Sequence, residues 1–370
     1  MSVALVHDWL TGMRGGEHVL EALCDLYPDA DIVTLLHRPG AVSAKIERHR
    51  IITSYIQRLP FASSHYRHYL PFFPSAIERL TFEGYDLVIS SSHCVAKAVV
   101  APPHARHLCY CHSPMRYAWD QFDAYFGPAR KGHLASRWLY RPVMSRLARW
   151  DASTARRVHR FVANSAHVAG RIHRYYGRDA TVVHPPVDTT FFHLADVVPE
   201  DHFLVVSALV PYKRIDLAIA ACARVGARLR IVGDGPDRSR LEAQAGRQVE
   251  FLGRLNDDGV RREYRRARAV LLPGEEDFGI VTVEAQACGR PVVALGRGGA
   301  LETVIDGDSG LLYPDADVAS LADALERVAS TRFDPERISR SAQRFSYDRH
   351  VQRMREVIED TLAHPVGAQW

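Results

Sequence analysis

Two glutamates in the last third of the chain are spaced to share a ligand. Seven residues separate Glu276 from Glu284 in the stretch Leu271-Leu272-Pro273-Gly274-Glu275-Glu276-Asp277-Phe278-Gly279-Ile280-Val281-Thr282-Val283-Glu284. Residues 269–272 read as a short buried strand, and Gly279 opens a helix predicted over 280–288, stopped by Gly289 and Pro291. A second apolar strand is predicted over 291–294, which makes a strand-loop-helix-strand unit of a parallel sheet. The acidic loop then falls at the carboxyl end of its strand, where open α/β sheets bind ligands. Backbone N–H groups from Gly279 onward suit a phosphate. At about 100° per residue Glu284 looks back toward the helix start, so both acids can reach one ligand. Phosphates on the N–H groups, sugar hydroxyls on Glu276 and ribose hydroxyls on Glu284 describe a nucleotide-sugar site.

Other residues with chemical potential also follow predicted strands. Lys213 and Arg214 come after strand 203–207, where a helix begins. Cations there oppose the helix dipole, a placement that makes sense if an anion sits between them. The turn Gly233-Asp234-Gly235-Pro236 follows strand 228–232 and can border a base. Gly15-Gly16-Glu17 follows the first strand and opens a helix, so a ligand can approach its backbone closely. His112 ends strand 107–111, a position that gives a histidine a catalytic reading. Cys109-Tyr110-Cys111-His112 has no second ligand pair at finger spacing, so no metal site is expected. Turn and cap roles account for the triplets Asp29-Ala30-Asp31 and Asp315-Ala316-Asp317.

The chain that must position these residues has 370 of them, too many for one ordinary core. Its first half alternates strands (3–6, 32–36, 87–90, 107–111, 160–163, 181–184) with helices such as 17–27 and 166–176. His184-Pro185-Pro186 ends that series, and a second one follows with strands 203–207, 228–232, 249–252, 269–272, 291–294 and 310–313. Two doubly wound α/β domains are therefore expected, 1–186 and 187–345, with a helical tail over 346–370 that returns to the first.

A net charge of +4 is too small to imply nucleic acid. Six scattered cysteines read as reduced thiols of a cytosolic protein. The N-terminus lacks the basic region and cleavage site of a signal peptide, and no apolar run reaches a membrane span. One segment is unusual: eleven Lys and Arg lie between Arg130 and Arg174 with Asp151 as the only acid, interleaved with Trp138, Tyr140, Met144, Leu147 and Trp150. Residues 59–73 likewise mix aromatic and basic side chains without an acid. That mixture points to an anionic membrane surface.

Lys213, the Gly233-Asp234-Gly235 turn, Glu276 and Glu284 with Phe278-Gly279 between them, and Gly298-Gly299-x-x-Glu302 together resemble the retaining group 1 (family 4) glycosyltransferases of the GT-B fold. His7-Asp8-Trp9-Leu10, Gly15-Gly16-Glu17, Cys111 to Asp120 and Pro211-Tyr212-Lys213-Arg214 look like a bacterial subgroup that adds mannose to lipid-linked polysaccharide units. The resemblance implies two Rossmann-like domains facing across a cleft. It implies Glu284 on the ribose, and Glu276 with the backbone of Phe278, Gly279 and Ile280 on the donor sugar. Lys213 would neutralise the departing diphosphate, and His112 would lie near the anomeric centre. Gly15, Gly16 and Arg214 complete the expected donor-binding set. The family usually carries Gly-Arg where this chain has Ser207-Ala208, so Arg214 is expected to take over the phosphate role.

The expected activity is a retaining mannosyl transfer from GDP-mannose to a polyprenyl-diphosphate-linked oligosaccharide. It would need no metal or other cofactor, at the cytoplasmic, inner face of the plasma membrane. A UDP-sugar donor, a nucleotide-sugar epimerase of the same fold and a silent sugar-nucleotide-binding subunit are the alternatives.

Overall fold

The computed structural model describes residues 1–120 and 133–365, with the side chains of residues 117 and 133–140 outside the description. Two compact units emerge: Met1–Pro186 together with the chain from Asp348 onward, and Val187–Tyr347. Each is a parallel α/β sheet of Rossmann type.

The first unit holds seven strands: β1 (Val3–His7), β2 (Asp31–Thr34), β3 (Ile51–Thr53), β4 (Leu87–Ser92), β5 (Arg106–Cys111), β6 (Arg160–Ala163) and β7 (Ala180–Val182). Their order is β3-β2-β1-β4-β5-β6-β7. β1 pairs in parallel with both β2 and β4, so the winding reverses beside β1. β1 is apolar until its last residue and buried throughout, as expected of a parallel strand covered on both faces. On one face Val19, Leu20 and Leu23 of helix Gly15–Leu26 join Leu5 and Ile32 in a core that also takes Met354, Val357 and Ile358. Those last three come from helix Tyr347–Ala363, which packs into the first unit. The other face packs Val6, Val33 and Val88 against Phe73, Ile77, Met144 and Leu147.

The second unit holds β8 (Phe203–Val206), β9 (Leu229–Val232), β10 (Val249–Gly253), β11 (Ala269–Leu272), β12 (Val292–Leu295) and β13 (Gly310–Tyr313). Their order is β10-β9-β8-β11-β12-β13. Here β8 pairs in parallel with β9 on one side and β11 on the other, so the winding reverses beside β8.

Several details differ from the sequence expectations. β3 was not foreseen, because three residues between polar neighbours give too short a signal. The strand expected over 181–184 ends at Val182. The basic run is not one solvated surface: Arg157 pairs with Glu78 at 2.8 Å, Arg160 pairs with Asp360, and Arg171 pairs with Asp120. Asp151 is wholly buried, 2.9 Å from the equally enclosed Lys97, and it also accepts hydrogen bonds from Trp119 and Tyr176 at 2.8 Å each. Arg141, Arg146 and Arg149 are exposed, while Arg130 and Lys131, and the side chains of Arg137, Trp138 and Tyr140, lie outside the described residues.

Candidate functional site

In the second unit the candidate side chains leave the carboxyl ends of β8 and β11, the two strands at the reversal point. After β8 the chain makes a short helical turn, Pro211–Lys213, and Arg214 takes a left-handed backbone (φ 53°) before helix Ile215–Arg224. After β11 the loop carries Glu276, and Gly279 at φ 84° starts helix Ile280–Ala287. That helix ends one residue before the expected Cys288. Gly279 permits a left-handed turn that a side chain would strain, and the N–H groups of the helix's first turn have no partners within the helix. Thr282 donates its hydroxyl to the Gly279 carbonyl at 2.6 Å, which fixes that turn.

The acidic loop is held on two sides. A Cβ on Gly274 would meet the Tyr212 carbonyl at 2.6 Å, so the loop lies directly on the Pro211–Lys213 turn. On the other side Gly298, at φ 61°, leaves no room for a side chain because a Cβ would stand 2.3 Å from the Glu276 carbonyl. Gly299 N–H donates to that carbonyl at 2.8 Å. The Gly233-Asp234-Gly235 turn packs against 207–209, where a Cβ on Gly235 would stand 2.3 Å from the Leu209 carbonyl.

This scaffold brings Lys213 and Glu276 together as an ion pair, the side chains 21% and 9% exposed. Glu284 accepts a hydrogen bond from the buried Tyr264 hydroxyl at 2.7 Å. Burial, and then the Glu284 charge, pushes that phenol well above its ordinary range, so Tyr264 stays a donor. Arg214 stands 3.5 Å from Asp216. Phe278 is buried against Phe345 with ring centroids 5.3 Å apart, so its side chain is structural and only its backbone is available to a ligand.

In the first unit His112 follows β5, at the carboxyl edge where β1 and β4 also end. Its backbone is pinned on both sides: its N–H donates to the Ser92 carbonyl at 2.8 Å, and its carbonyl accepts from Asn164 at 2.9 Å. Burial, and then the rings of His93, His7 and His350, hold the His112 imidazole well below its usual range, so it is neutral. Gly16 lies against His112 and His7, which places the Gly15-Gly16 turn at this edge.

Sequence reasoning gave no role to Asp8. Its carboxylate accepts four backbone hydrogen bonds, from His93 (2.7 Å), Cys94 (3.0 Å), Val95 (2.6 Å) and Ala96 (2.8 Å), and so fixes the loop after β4. His93 stands 3.1 Å from Asp8 and edge-on to Trp9. An acid immediately after a buried strand, with no helix of its own to cap, was the available signal. Among the described residues no group of three His, Cys, Asp or Glu side chains can hold a metal. Asp317 caps helix Val318–Ser330 through Ser320 N–H at 2.8 Å, and Asp31 accepts from the Tyr85 hydroxyl. All six cysteines are free and buried.

Residues 13–191 match the family model described as Glycosyltransferase Family 4, and residues 188–345 match Glycosyl transferases group 1. The chain is of the group 1, family 4 glycosyltransferase type. A D-inositol 3-phosphate glycosyltransferase of Geodermatophilus obscurus is 34% identical in a 232-residue alignment that covers 52% of this chain and 50% of that one. One of Acidothermus cellulolyticus is 33% identical in a 250-residue alignment that covers 58% of this chain and 56% of that one. The chain spans about half the length of the curated relatives it matches. Among solved structures, Anabaena HepE in complex with UDP and glucose aligns with a TM-score of 0.70 at 19% identity, over 97% of this chain and 100% of that one. Sucrose-phosphate synthase from Thermosynechococcus elongatus aligns with a TM-score of 0.73 at 18% identity, over 98% of this chain and 100% of that one. These likenesses establish the GT-B fold for this group 1 glycosyltransferase-type chain.

Proposed function

We propose that the protein is a retaining glycosyltransferase. It moves mannose from GDP-mannose to a polyprenyl-diphosphate-linked oligosaccharide during bacterial surface polysaccharide synthesis, as a peripheral protein on the cytoplasmic face of the plasma membrane. The observation that carries the reading is the Lys213–Glu276 pair at the β8/β11 reversal point, beside the helix N-terminus at Gly279. The ammonium can exchange its carboxylate partner for a diphosphate, and the carboxylate can exchange the ammonium for sugar hydroxyls. Glu284, already oriented by Tyr264, takes the ribose hydroxyls.

As the bond from C1 to the leaving oxygen breaks, negative charge grows on the diphosphate. Lys213, Arg214 and the backbone N–H groups at Gly279 and Ile280 stabilise that charge, so no divalent ion is needed. The acceptor hydroxyl bonds to C1 on the face the diphosphate leaves, and its proton passes to a phosphate oxygen. Glu276 holds the sugar and forms no covalent bond, unlike the nucleophile of a retaining hydrolase.

A UDP-sugar donor is the second reading, favoured by the UDP and UDP-glucose complexes of the HepE fold neighbour. Calorimetry with GDP and UDP separates the two. Transfer is then assayed with polyprenyl-linked oligosaccharide and, because the relatives are named for it, with inositol 3-phosphate. NMR of the product reads the anomeric configuration, and an inverted anomer removes the retaining assignment. Loss of transfer with EDTA and its return with manganese would remove metal independence.

A further inference from the structure

The carboxyl edge of the first unit's sheet brings four polar side chains into one line. His112 Nε2 lies 2.8 Å from Ser91 Oγ, and the same oxygen lies 3.1 Å from His7 Nδ1. On the far side of that ring, His7 Nε2 stands 3.7 Å from Glu17 Oε1. His7 ends β1, Ser91 belongs to β4, His112 follows β5, and Glu17 sits in the first turn of helix Gly15–Leu26. Gly16 lets the helix approach: a Cβ there would stand 3.3 Å from His7 Cε1 and 3.5 Å from His112 Nε2. His7 and Ser91 are wholly buried and Glu17 is 4% exposed, whereas His112 is partly open. His7 Nε2 makes no hydrogen bond within normal reach, which leaves the Glu17 carboxylate as the charge it faces.

The serine hydroxyl has one proton, and that sets a direction along the line. Were Ser91 to donate to His112, His7 would have to donate through Nδ1. Its Nε2 would then either present a lone pair to the Glu17 carboxylate or carry a buried positive charge. The opposite direction avoids both costs. His7 Nε2–H faces Glu17, Ser91 donates to His7 Nδ1, and His112 donates through Nε2–H to Ser91. Neutral His112 is then left with a lone pair on Nδ1. The Glu17 carboxyl lies below its ordinary range despite its burial, so Glu17 stays ionised at the end of the line.

We propose that Glu17, His7 and Ser91 are positioning residues that hold His112 as its Nε2–H tautomer, so that Nδ1 accepts a hydrogen bond from a hydroxyl of a bound sugar. The inference rests on the glycosyltransferase reading. Glu17 acts only through His7, and His7 only through Ser91, so each is felt at the sugar as a change in which His112 nitrogen carries the proton.

The test begins with the intact chain labelled with 15N-histidine, in long-range 1H–15N correlation spectra above the histidine titration range. His112 is expected as the Nε2–H form; the Nδ1–H form in the unaltered chain overturns the proposal without any variant. In Ser91→Ala the ring is expected to become a mixture of tautomers. Turnover should fall at least tenfold while donor KM and nucleoside diphosphate affinity by calorimetry stay unchanged, and Ser91→Thr should restore both turnover and tautomer. An unchanged tautomer in a folded Ser91→Ala chain also overturns the proposal. Failure of the unaltered chain to bind any nucleoside diphosphate removes the glycosyltransferase reading instead, and the two failures are thereby distinct.

Discussion

The Lys213 ammonium lies against Glu276 Oε1, and the pair joins the loops that leave β8 and β11. With side chains only 21% and 9% exposed, neither member is a freely solvated surface charge. Close packing at Gly274 and Gly298 fixes both loops, so the pair is held where the strand order reverses rather than meeting by chance rotamers.

Removing the two glutamates should have different consequences. Glu284 is assigned to the ribose, which does not change during reaction, and Glu276 to the sugar that does. Glu284→Ala is expected to weaken nucleoside diphosphate binding by roughly tenfold to a hundredfold, the worth of hydrogen bonds to a charged group. Glu276→Ala should leave that affinity within about threefold and lower turnover instead. Calorimetry with the nucleoside diphosphate decides the first, and unchanged affinity in Glu284→Ala would sink the ribose assignment.

Arg214 occupies a left-handed backbone that costs a non-glycine residue about 1 kcal/mol or more, and its side chain makes no cap for the helix that follows. Arg214→Gly should therefore raise the unfolding free energy of the second unit by up to about 1 kcal/mol. If the guanidinium does replace the phosphate arginine absent at Ala208, the same change should weaken diphosphate binding about tenfold. Denaturation and calorimetry on one variant read the two effects separately. A more stable variant with full affinity would leave Arg214 a structural residue only.

The fold was legible because parallel strands buried on both faces are short apolar runs, and 269–272 and 310–313 are that clearly. β3 escaped for lack of length. The glutamate spacing was legible because a glycine start and a helical period are local properties of the chain. The pairing of Lys213 with Glu276 was not, since sixty-odd residues lie between them and only the β8/β11 pairing brings them together. The same holds for the line from Glu17 to His112: the four residues come from four different parts of the chain, and nothing local in Ser90-Ser91-Ser92 marks the middle serine. The basic run misled in part, because charge counting cannot tell an arginine that pairs inward, such as Arg171, from one that faces water, such as Arg149.

Acid should loosen the packing of the C-terminal helix on the first unit. His350 is 3% exposed, donates through Nδ1 to the His184 carbonyl at 2.7 Å, and is depressed by burial from 6.5 to about 4. The unfolded chain then binds a proton that the folded chain refuses. The stabilisation is complete above pH 6.5 and is lost progressively as pH falls toward 4. His350→Gln, which keeps a donor for His184, should remove roughly 3 kcal/mol from that loss. Denaturant midpoints across this interval test it, and a variant with the same pH slope as the parent would contradict it. His107, buried and depressed to about 3, contributes a second slope of the same sign.

Membrane attachment is expected through exposed side chains of the first unit. Helix His133–Thr154 buries Met144, Leu147 and Ala148 and exposes Arg141, Arg146 and Arg149. In the 59–73 stretch Phe61 is 77% exposed and Phe72 is 55% exposed. Exposed cations with nearby aromatic side chains suit an anionic bilayer, each cation contributing on the order of 1 kcal/mol. Among the described residues no helix is long and apolar enough to cross a membrane. The chain is expected to sediment with vesicles containing anionic lipid and to release in high salt, which screens the attraction. Reversing Arg141, Arg146 and Arg149 together should weaken binding by roughly a hundredfold or more. Phe61→Ser should weaken it by a smaller factor that salt does not change, because that contact is apolar. Nucleoside diphosphate affinity should hold in both variants, since neither alters a residue assigned to the nucleotide. Equal binding to neutral and anionic vesicles, or full binding by the triple variant, would reject this face as the docking surface.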